Sequence, residues 1–256
     1  MHRMKYRIVP ASGETLDALR CGDLHVLQKK RGYRFSVDAY LIASFVEEGA
    51  GSSILEIGSG SGVISIMLAG VKGLIVTGVE VQPELVEMSR RSVVLNRLED
   101  RVKIVNSDIK EFKGSGFDAV VTNPPYRPAK TGRINPDTSK AISRHEILVD
   151  LKALLLKANQ ALKPGGHFYI VYPAWRMVDL IYGMRESRIE PKVIRMIHPN
   201  PRQKAELCLV RGVKDAGAEV VFYPPFFIHN LRSGYTREMK QVFERLSMSK
   251  KTLTFA

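Results

Sequence analysis

The run Ser53-Ile54-Leu55-Glu56-Ile57 passes directly into Gly58-Ser59-Gly60-Ser61-Gly62 and then into Val63-Ile64-Ser65-Ile66-Met67-Leu68-Ala69. The first segment is a short apolar strand, the second a tight glycine loop, and the third opens a helix. A strand, a tight loop and a helix in succession make half of a βαβ unit, and such units build parallel sheets with helices on both faces. The alternation continues along the chain. Gly73 to Val79 reads as a strand ending in Glu80, and Pro83 at a first helical position begins a helix to about Asn96. Arg101 to Asn106 and Phe117 to Thr122 are further strands, the first ending before Asp108. A helix is expected from about Glu146 to Leu162, stopped by Lys163-Pro164-Gly165-Gly166, with a strand over His167 to Tyr172 and a helix over Trp175 to Ser187. Pro191 to His198 and Lys204 to Val213 read as strands with no helix between them, hence an antiparallel pair at one edge. The expected architecture is α/β: a doubly wound, mostly parallel sheet of seven strands with an antiparallel edge pair.

The flanks are less regular. Residues 1–35 read as a basic N-terminal arm or small hairpin, residues 36–222 as the main domain, and residues 223–256 as a tail packed on it. Ser36 to Glu48 has the apolar spacing of a helix, with Ser36 as candidate N-cap, and a further helix is possible near Arg237 to Ser247. Residues 127–144 show no periodicity and form a long polar loop, of the kind that is usually functional.

Asn123-Pro124-Pro125-Tyr126 follows the strand Phe117–Thr122. Two successive prolines cannot continue a ladder, so the chain leaves the sheet as a rigid turn. That puts an amide and a phenol at the carboxyl end of a strand, where open α/β sheets bind ligands. An amine conjugated to an aromatic ring, or an amide nitrogen, is a poor nucleophile because its lone pair is delocalised. An Asn carbonyl and a neighbouring backbone carbonyl can accept its two N–H groups and draw the nitrogen toward tetrahedral geometry. The Tyr ring offers a flat surface for a planar substrate group.

The chain of 256 residues carries a net charge of +13, the footprint of a polyanion binder. Basic residues cluster at Lys29, Lys30, Arg31 and Arg34, and again at Arg127, Lys130, Arg133, Lys140 and Arg144 just after the Asn-Pro-Pro-Tyr turn. A phosphate-bearing substrate, nucleic acid rather than a membrane, is expected there. No apolar run is long enough to span a bilayer, and no export signal is expected. Cys21 and Cys208 show no metal spacing, and a reducing cytoplasm suits both. No metal is expected, and the oligomeric state stays open.

The glycine loop can be tested against known phosphate-binding patterns. Counted from Gly58 the sixth position is Val63, and from Gly60 it is Ser65, so neither frame fits the dinucleotide fingerprint. The loop contains no Lys and is not a Walker loop. What remains is Glu56-x-Gly58-x-Gly60-x-Gly62, with Glu80 and Asp108 at successive strand ends. With Asn123-Pro124-Pro125-Tyr126, this resembles the class I S-adenosylmethionine-dependent methyltransferases, over roughly residues 53–213. The resemblance implies a Rossmann-like methyltransferase sheet and S-adenosylmethionine as cofactor. It implies that Glu56 and Gly58, Gly60 and Gly62 form the cofactor loop, that Glu80 accepts the ribose hydroxyls, and that Asp108 accepts from the adenine amine. Asn123 then borders the cofactor and, with Pro124 and Tyr126, forms the catalytic turn.

The motif is shared by N6-adenine enzymes and by the release-factor glutamine N5 methyltransferases. Gln28 to Ala39, Ser143-Arg144-His145-Glu146, His198-Pro199 and Lys204-Ala205-Glu206 resemble the bacterial tRNA(Val) adenine-N6 methyltransferase family, which extends the likeness to about residues 20–235. By that resemblance Tyr33, Phe35 and Asp38 help close the cofactor pocket, and tRNA is the partner. Ala205-Glu206 departs from the Pro-Ala expected there. The glutamine enzymes, the guanine N2 methyltransferases and an inactive cofactor-binding scaffold remain alternatives. Trp175 is expected to be a packing residue.

Overall fold

In the computed structural model, residues 9–31, 34–124 and 151–247 are described. Strands β1 (Glu14–Ala18) and β2 (His25–Lys29) form an antiparallel hairpin of their own. Then come α1 (Val37–Phe45), β3 (Ser53–Ile57), α2 (Val63–Lys72), β4 (Ile75–Glu80), α3 (Pro83–Leu95), β5 (Val102–Asn106) and β6 (Phe117–Thr122). The chain continues through α4 (Leu151–Ala161), β7 (Leu162–Pro173), α5 (Met177–Glu186), β8 (Ile189–His198) and β9 (Leu207–Lys214). Two short strands, β10 (Val221–Phe222) and β11 (Phe226–Phe227), precede α6 (Arg237–Ser247).

The main sheet has the order β10-β8-β9-β7-β6-β3-β4-β5, with β11 also on β8. Strands β3 to β7 are mutually parallel. Strand β9 inserts between β7 and β8, antiparallel to both. All the parallel strands therefore point their carboxyl ends to one edge, the β8–β9 turn returns to that edge, and the order reverses beside β3. That is where ligands bind in such sheets.

Each central strand feeds two cores. Ile54, Val121 and Tyr169 belong to one, and Leu55, Val120 and Phe168 to the other. Burial on both faces is why these strands read as predominantly apolar runs rather than as an alternation. Helices α1, α2 and α6 cover the first face, and α4 and α5 the second. Helix α6 contributes Met239, Val242 and Leu246, a stripe at helical spacing. The hairpin docks on α3. Leu27 N–H donates to Ser92 Oγ at 2.9 Å, and Asn96 Oδ1 accepts from His25 N–H at 2.9 Å. A line of rings joins the chain's two flanks: Phe35 meets Tyr40 at 5.8 Å, Tyr40 meets Phe243 at 5.1 Å, and Phe243 meets Tyr235 at 5.3 Å.

Four expectations need correction. The sheet has nine strands rather than seven, because β10 and β11 each add two residues alongside β8. Lys163-Pro164-Gly165-Gly166 does not separate helix from strand but lies within β7. Phe117 pairs with Leu162, the register shifts, and pairing resumes at Ala119 with His167. Gly165 accommodates the bulge at φ +71°, and a Cβ on Gly166 would sit 2.9 Å from the Lys163 carbonyl oxygen. Ser36 precedes α1 as expected, but its side chain makes no capping hydrogen bond. Trp175 is not a packing residue: it lies in a 3-10 turn just after β7 and is 71% exposed.

Candidate active site

Three strand ends converge on the glycine loop. Strand β3 delivers Glu56 and then Gly58, Gly60 and Gly62, all at positive φ. Gly58 and Gly60 have open space where a side chain would project, so the loop presents bare backbone to the cleft. Gly62 caps α2 with φ +81° and no side-chain cap, which leaves the first N–H groups of α2 at the cleft wall. The cleft is lined by Phe35, Glu56, the loop from Gly58 to Ser61, the start of α2 and Asn123.

Glu56 is buried beneath the loop and its carboxylate accepts the Ser65 hydroxyl. Burial pushes its pKa up to about 8, with the Ser65 hydrogen bond acting against the shift. The consequence for stability has a definite sign. Unfolded, the carboxyl loses its proton near pH 4.5, whereas folded it keeps it until about pH 8. Stability contributed by the neutral carboxyl is therefore lost progressively as pH rises between those values. Glu56→Gln is expected to flatten that part of the Tm-against-pH curve. An unchanged slope in thermal melts from pH 5 to 8 would show that Glu56 is already ionised.

Glu80, at the end of β4, bridges the loop and α3. Its Oε2 accepts from Gly60 N–H at 2.9 Å and its Oε1 from Gln82 N–H at 2.9 Å. Burial raises its pKa, against the pull of these backbone donors. Each carboxylate oxygen retains lone-pair capacity for a further donor, the arrangement that a cis-diol needs. Asp108 follows β5, is half-buried and accepts from Lys110 N–H at 2.8 Å.

Asn123 and Pro124 leave β6 beside the loop. The hydroxyl of Thr122, the last residue of β6, donates to the carbonyl of Ile57 at 2.9 Å. This bond ties the end of β6 to the end of β3 one residue before Gly58. Asn123 is half-buried at the cleft and Pro124 is buried. Ser65 and Thr122 have supporting positions that the sequence reading passed over. Both are small hydroxyl residues inside apolar runs, a placement that calls for a hydrogen-bond partner.

The other expected site residues divide three ways. Phe35 lines the cleft. Asp38 does not join it. It lies in a neighbouring hollow with Glu206 and Tyr235, and burial raises its pKa. Lys29 pairs with Glu84 beside the hairpin, and Lys30 and Arg31 continue from it at the surface. Tyr33, Tyr126, Arg127, Lys130, Arg133, Lys140 and Arg144 lie outside the described residues. So do the whole of the expected loop 127–144 and the start of the helix expected from Glu146.

The methyltransferase small domain model matches residues 36–180, from the start of α1 into α5, and so includes every described residue of the cleft lining but Phe35. The chain belongs to this methyltransferase family. Relatives of this methyltransferase include the tRNA1(Val) (adenine(37)-N6)-methyltransferase of Porphyromonas gingivalis, 30% identical over 66% of the chain and 72% of that protein. The protein of the same name in Tolumonas auensis is 26% identical over 72% of the chain and 85% of the relative. Among solved structures, a predicted O-methyltransferase from Agrobacterium tumefaciens superposes with a TM-score of 0.66 at 22% identity, covering 82% of the chain and 96% of its own. A methyltransferase from Pyrococcus furiosus gives a TM-score of 0.58 at 20% identity, covering 76% and 89% respectively. At those identities the structural likeness speaks for the fold: an α/β, Rossmann-like methyltransferase sheet. Among the described residues no helix is long and apolar enough to cross a membrane.

Proposed function

We propose that this methyltransferase moves a methyl group from S-adenosylmethionine to the exocyclic N6 amine of an adenine in tRNA, the adenine beside the anticodon of a valine tRNA. The observation that carries the reading is the bond from Thr122 to Ile57, which holds Asn123 against the bare-backbone loop. The names of the relatives from Porphyromonas gingivalis and Tolumonas auensis support the substrate.

The residues of the cleft fit the cofactor. Gly58 and Gly60 leave room for a ligand to lie on the backbone, and Glu80 has acceptor capacity for a ribose diol. Asp108 takes the adenine amine of the cofactor, and Glu56 and Phe35 complete the wall. Asp38 and Tyr33 are assigned to pocket closure by family likeness alone. When bound, S-adenosylmethionine supplies an electrophilic methyl on a sulfonium.

The chain's part is positioning. The target adenine must leave its stack to reach a recessed turn. The Asn123 side-chain oxygen and the Pro124 carbonyl accept the two amine hydrogens and localise the nitrogen lone pair. Tyr126 provides the stacking face. Fixed dipoles in place of water supply most of the rate gain, and the proton released from the methylated nitrogen passes to solvent, so no ionised base is needed. Arg127, Lys130, Arg133, Lys140 and Arg144, with Lys29, Lys30 and Arg31, are the proposed phosphate contacts. Residues 36–222 form the catalytic domain, with residues 1–35 as an arm and 223–256 as a tail packed on it. The setting is cytoplasmic, and both cysteines are buried free thiols.

The test is methyl transfer from labelled cofactor to total tRNA and, separately, to a release factor. Digestion of the labelled RNA to nucleosides is expected to give N6-methyladenosine. Label confined to the release factor would overturn the adenine assignment in favour of glutamine.

A further inference from the structure

Past Asn123 the same edge of the sheet carries an aromatic side chain that the catalytic turn does not use. Strand β7 lies next to β6, and Thr122 sits opposite Ile170. The next three residues of β7 overrun the end of β6, and the chain then enters the 3-10 turn Ala174–Arg176. Trp175 stands on that turn, 71% exposed. Its orientation is not random. The Arg176 guanidinium lies 5.8 Å from the Trp175 ring and 5.4 Å from the buried Tyr172 ring, and pairs with Asp179 at 3.4 Å. The turn is itself anchored, since Ala174 N–H donates to the Glu206 carbonyl at 2.9 Å.

That last bond joins the turn carrying Trp175, through Ala174, to the β8–β9 turn, which carries exposed Arg202 and Lys204. Facing the turn is the loop after β11. The hollow between them is lined by polar and basic side chains, including Asn200, Arg202, Gln203, His229 and Asn230, with no carboxylate among the described lining. Exposed Arg232 lies on the same loop. The β8–β9 turn thus links the exposed ring to the basic hollow, and proteins hold unpaired nucleotides with such parts: bases stack on the ring while cations track the phosphates.

The geometry points to a second RNA-binding subsite, in which Trp175 stacks on an unpaired base flanking the target adenine and Arg202, Lys204 and Arg232 hold the adjoining phosphates. It rests on the RNA reading of the active site and extends it. Pro173, the last strand residue, extends roughly 7 Å beyond Asn123, at ~3.3 Å for each of two residues, and Trp175 stands on the turn past it, so it reaches a neighbouring nucleotide rather than the target. Stacking on Trp175 would help keep the loop unstacked while the target adenine is turned into the cleft.

The chain contains a single tryptophan, so its fluorescence reports on this position alone. Titration with a synthetic anticodon stem-loop carrying the target adenine is expected to quench that fluorescence to saturation. Trp175→Ala should weaken stem-loop binding roughly 5- to 150-fold, the range for loss of one stacked base, and Trp175→Phe should restore most of it. In turnover the loss should appear in KM for RNA with kcat nearly unchanged. Arg202→Gln with Lys204→Gln should lower the slope of log affinity against log salt by about 1.4, for two contacts at ~0.7 each. Tyr182 and Val178, exposed further along α5, supply the contrast. Tyr182→Ala and Val178→Asp should leave RNA affinity unchanged.

Fluorescence that is unmoved at RNA concentrations that saturate methylation would overturn the subsite. So would a Trp175→Ala enzyme with wild-type KM. Concentration-dependent self-association abolished by each of Trp175→Ala, Val178→Asp and Tyr182→Ala would also overturn it and assign the face to a second copy. Quenching by RNA without any methylation of RNA would leave the subsite standing while the adenine-N6 reading fell.

Discussion

Asn123→Ala is expected to lower single-turnover methyl transfer on the order of 10²-fold or more, the scale for loss of one preorganised polar group at a reacting centre. Cofactor affinity should change little. The glycine loop and the start of α2 make up most of the described cleft lining, and Glu80 holds the Gly60 N–H. Asn123→Asp is the sharper comparison. It keeps an acceptor oxygen and the shape of the side chain, but places a negative charge near Glu56 and Glu80. If Asn123 acts by accepting an amine hydrogen, Asp should retain more activity than Ala. Equilibrium binding of cofactor, measured alongside quenched-flow transfer to the stem-loop, separates the two effects. An Ala variant at full turnover would remove Asn123 from the chemistry.

The second large effect is expected at Gly62. The residue sits at φ +81°, and a Cβ there would lie 2.2 Å from Ser89 Oγ and 3.2 Å from Ser89 Cβ. Ser89 is fully buried in α3, so it has little room to yield. Gly62→Ala therefore combines left-handed strain with a clash, and roughly 1–3 kcal/mol of stability should be lost, with Tm falling by about 2–12 °C. Adding Ser89→Gly should recover part of that loss by removing the clash but not the strain. Gly58→Ala provides the control. It has φ +73° but open space at the Cβ position, so its thermal cost should be smaller while cofactor binding still suffers from the methyl group in the cleft. Thermal melts and cofactor titrations of the three variants test this order. Equal melting losses for Gly58→Ala and Gly62→Ala would show that Ser89 can move aside.

Much of this layout was legible before any coordinates, for identifiable reasons. Strands β3 and β6 fall where their mainly apolar runs fall, because both faces of their central residues are buried. Helix α6 follows from the spacing of Met239, Val242 and Leu246. Two-residue strands such as β10 and β11 carry no period, and their pairing with β8 is a tertiary event. The start of β7 misled for a different reason: Pro-Gly-Gly is turn chemistry, here used to bulge a strand. At the site, the glycine loop, Glu80 and Asn123 are local signals that declare their positions. Asp38 illustrates the converse. Its place on α1 depends on how that helix packs, and packing turns it toward Glu206 rather than the loop. Exposure of Trp175 was likewise invisible, since only the overrun of β7 past β6 decides that its ring meets solvent.

The line of rings from Phe35 through Tyr40 to Phe243 also sets an order of assembly. Phe35 is a wall of the cleft, and Arg20 of the hairpin packs over both Tyr235 and Phe243. These partners are separated by nearly the whole chain. During synthesis, the described elements of the cleft all precede α6, so Tyr40, which backs Phe35, gains its Phe243 contact only once α6 has been made. Cofactor capture by a nascent chain would thus register that the distal end has been made.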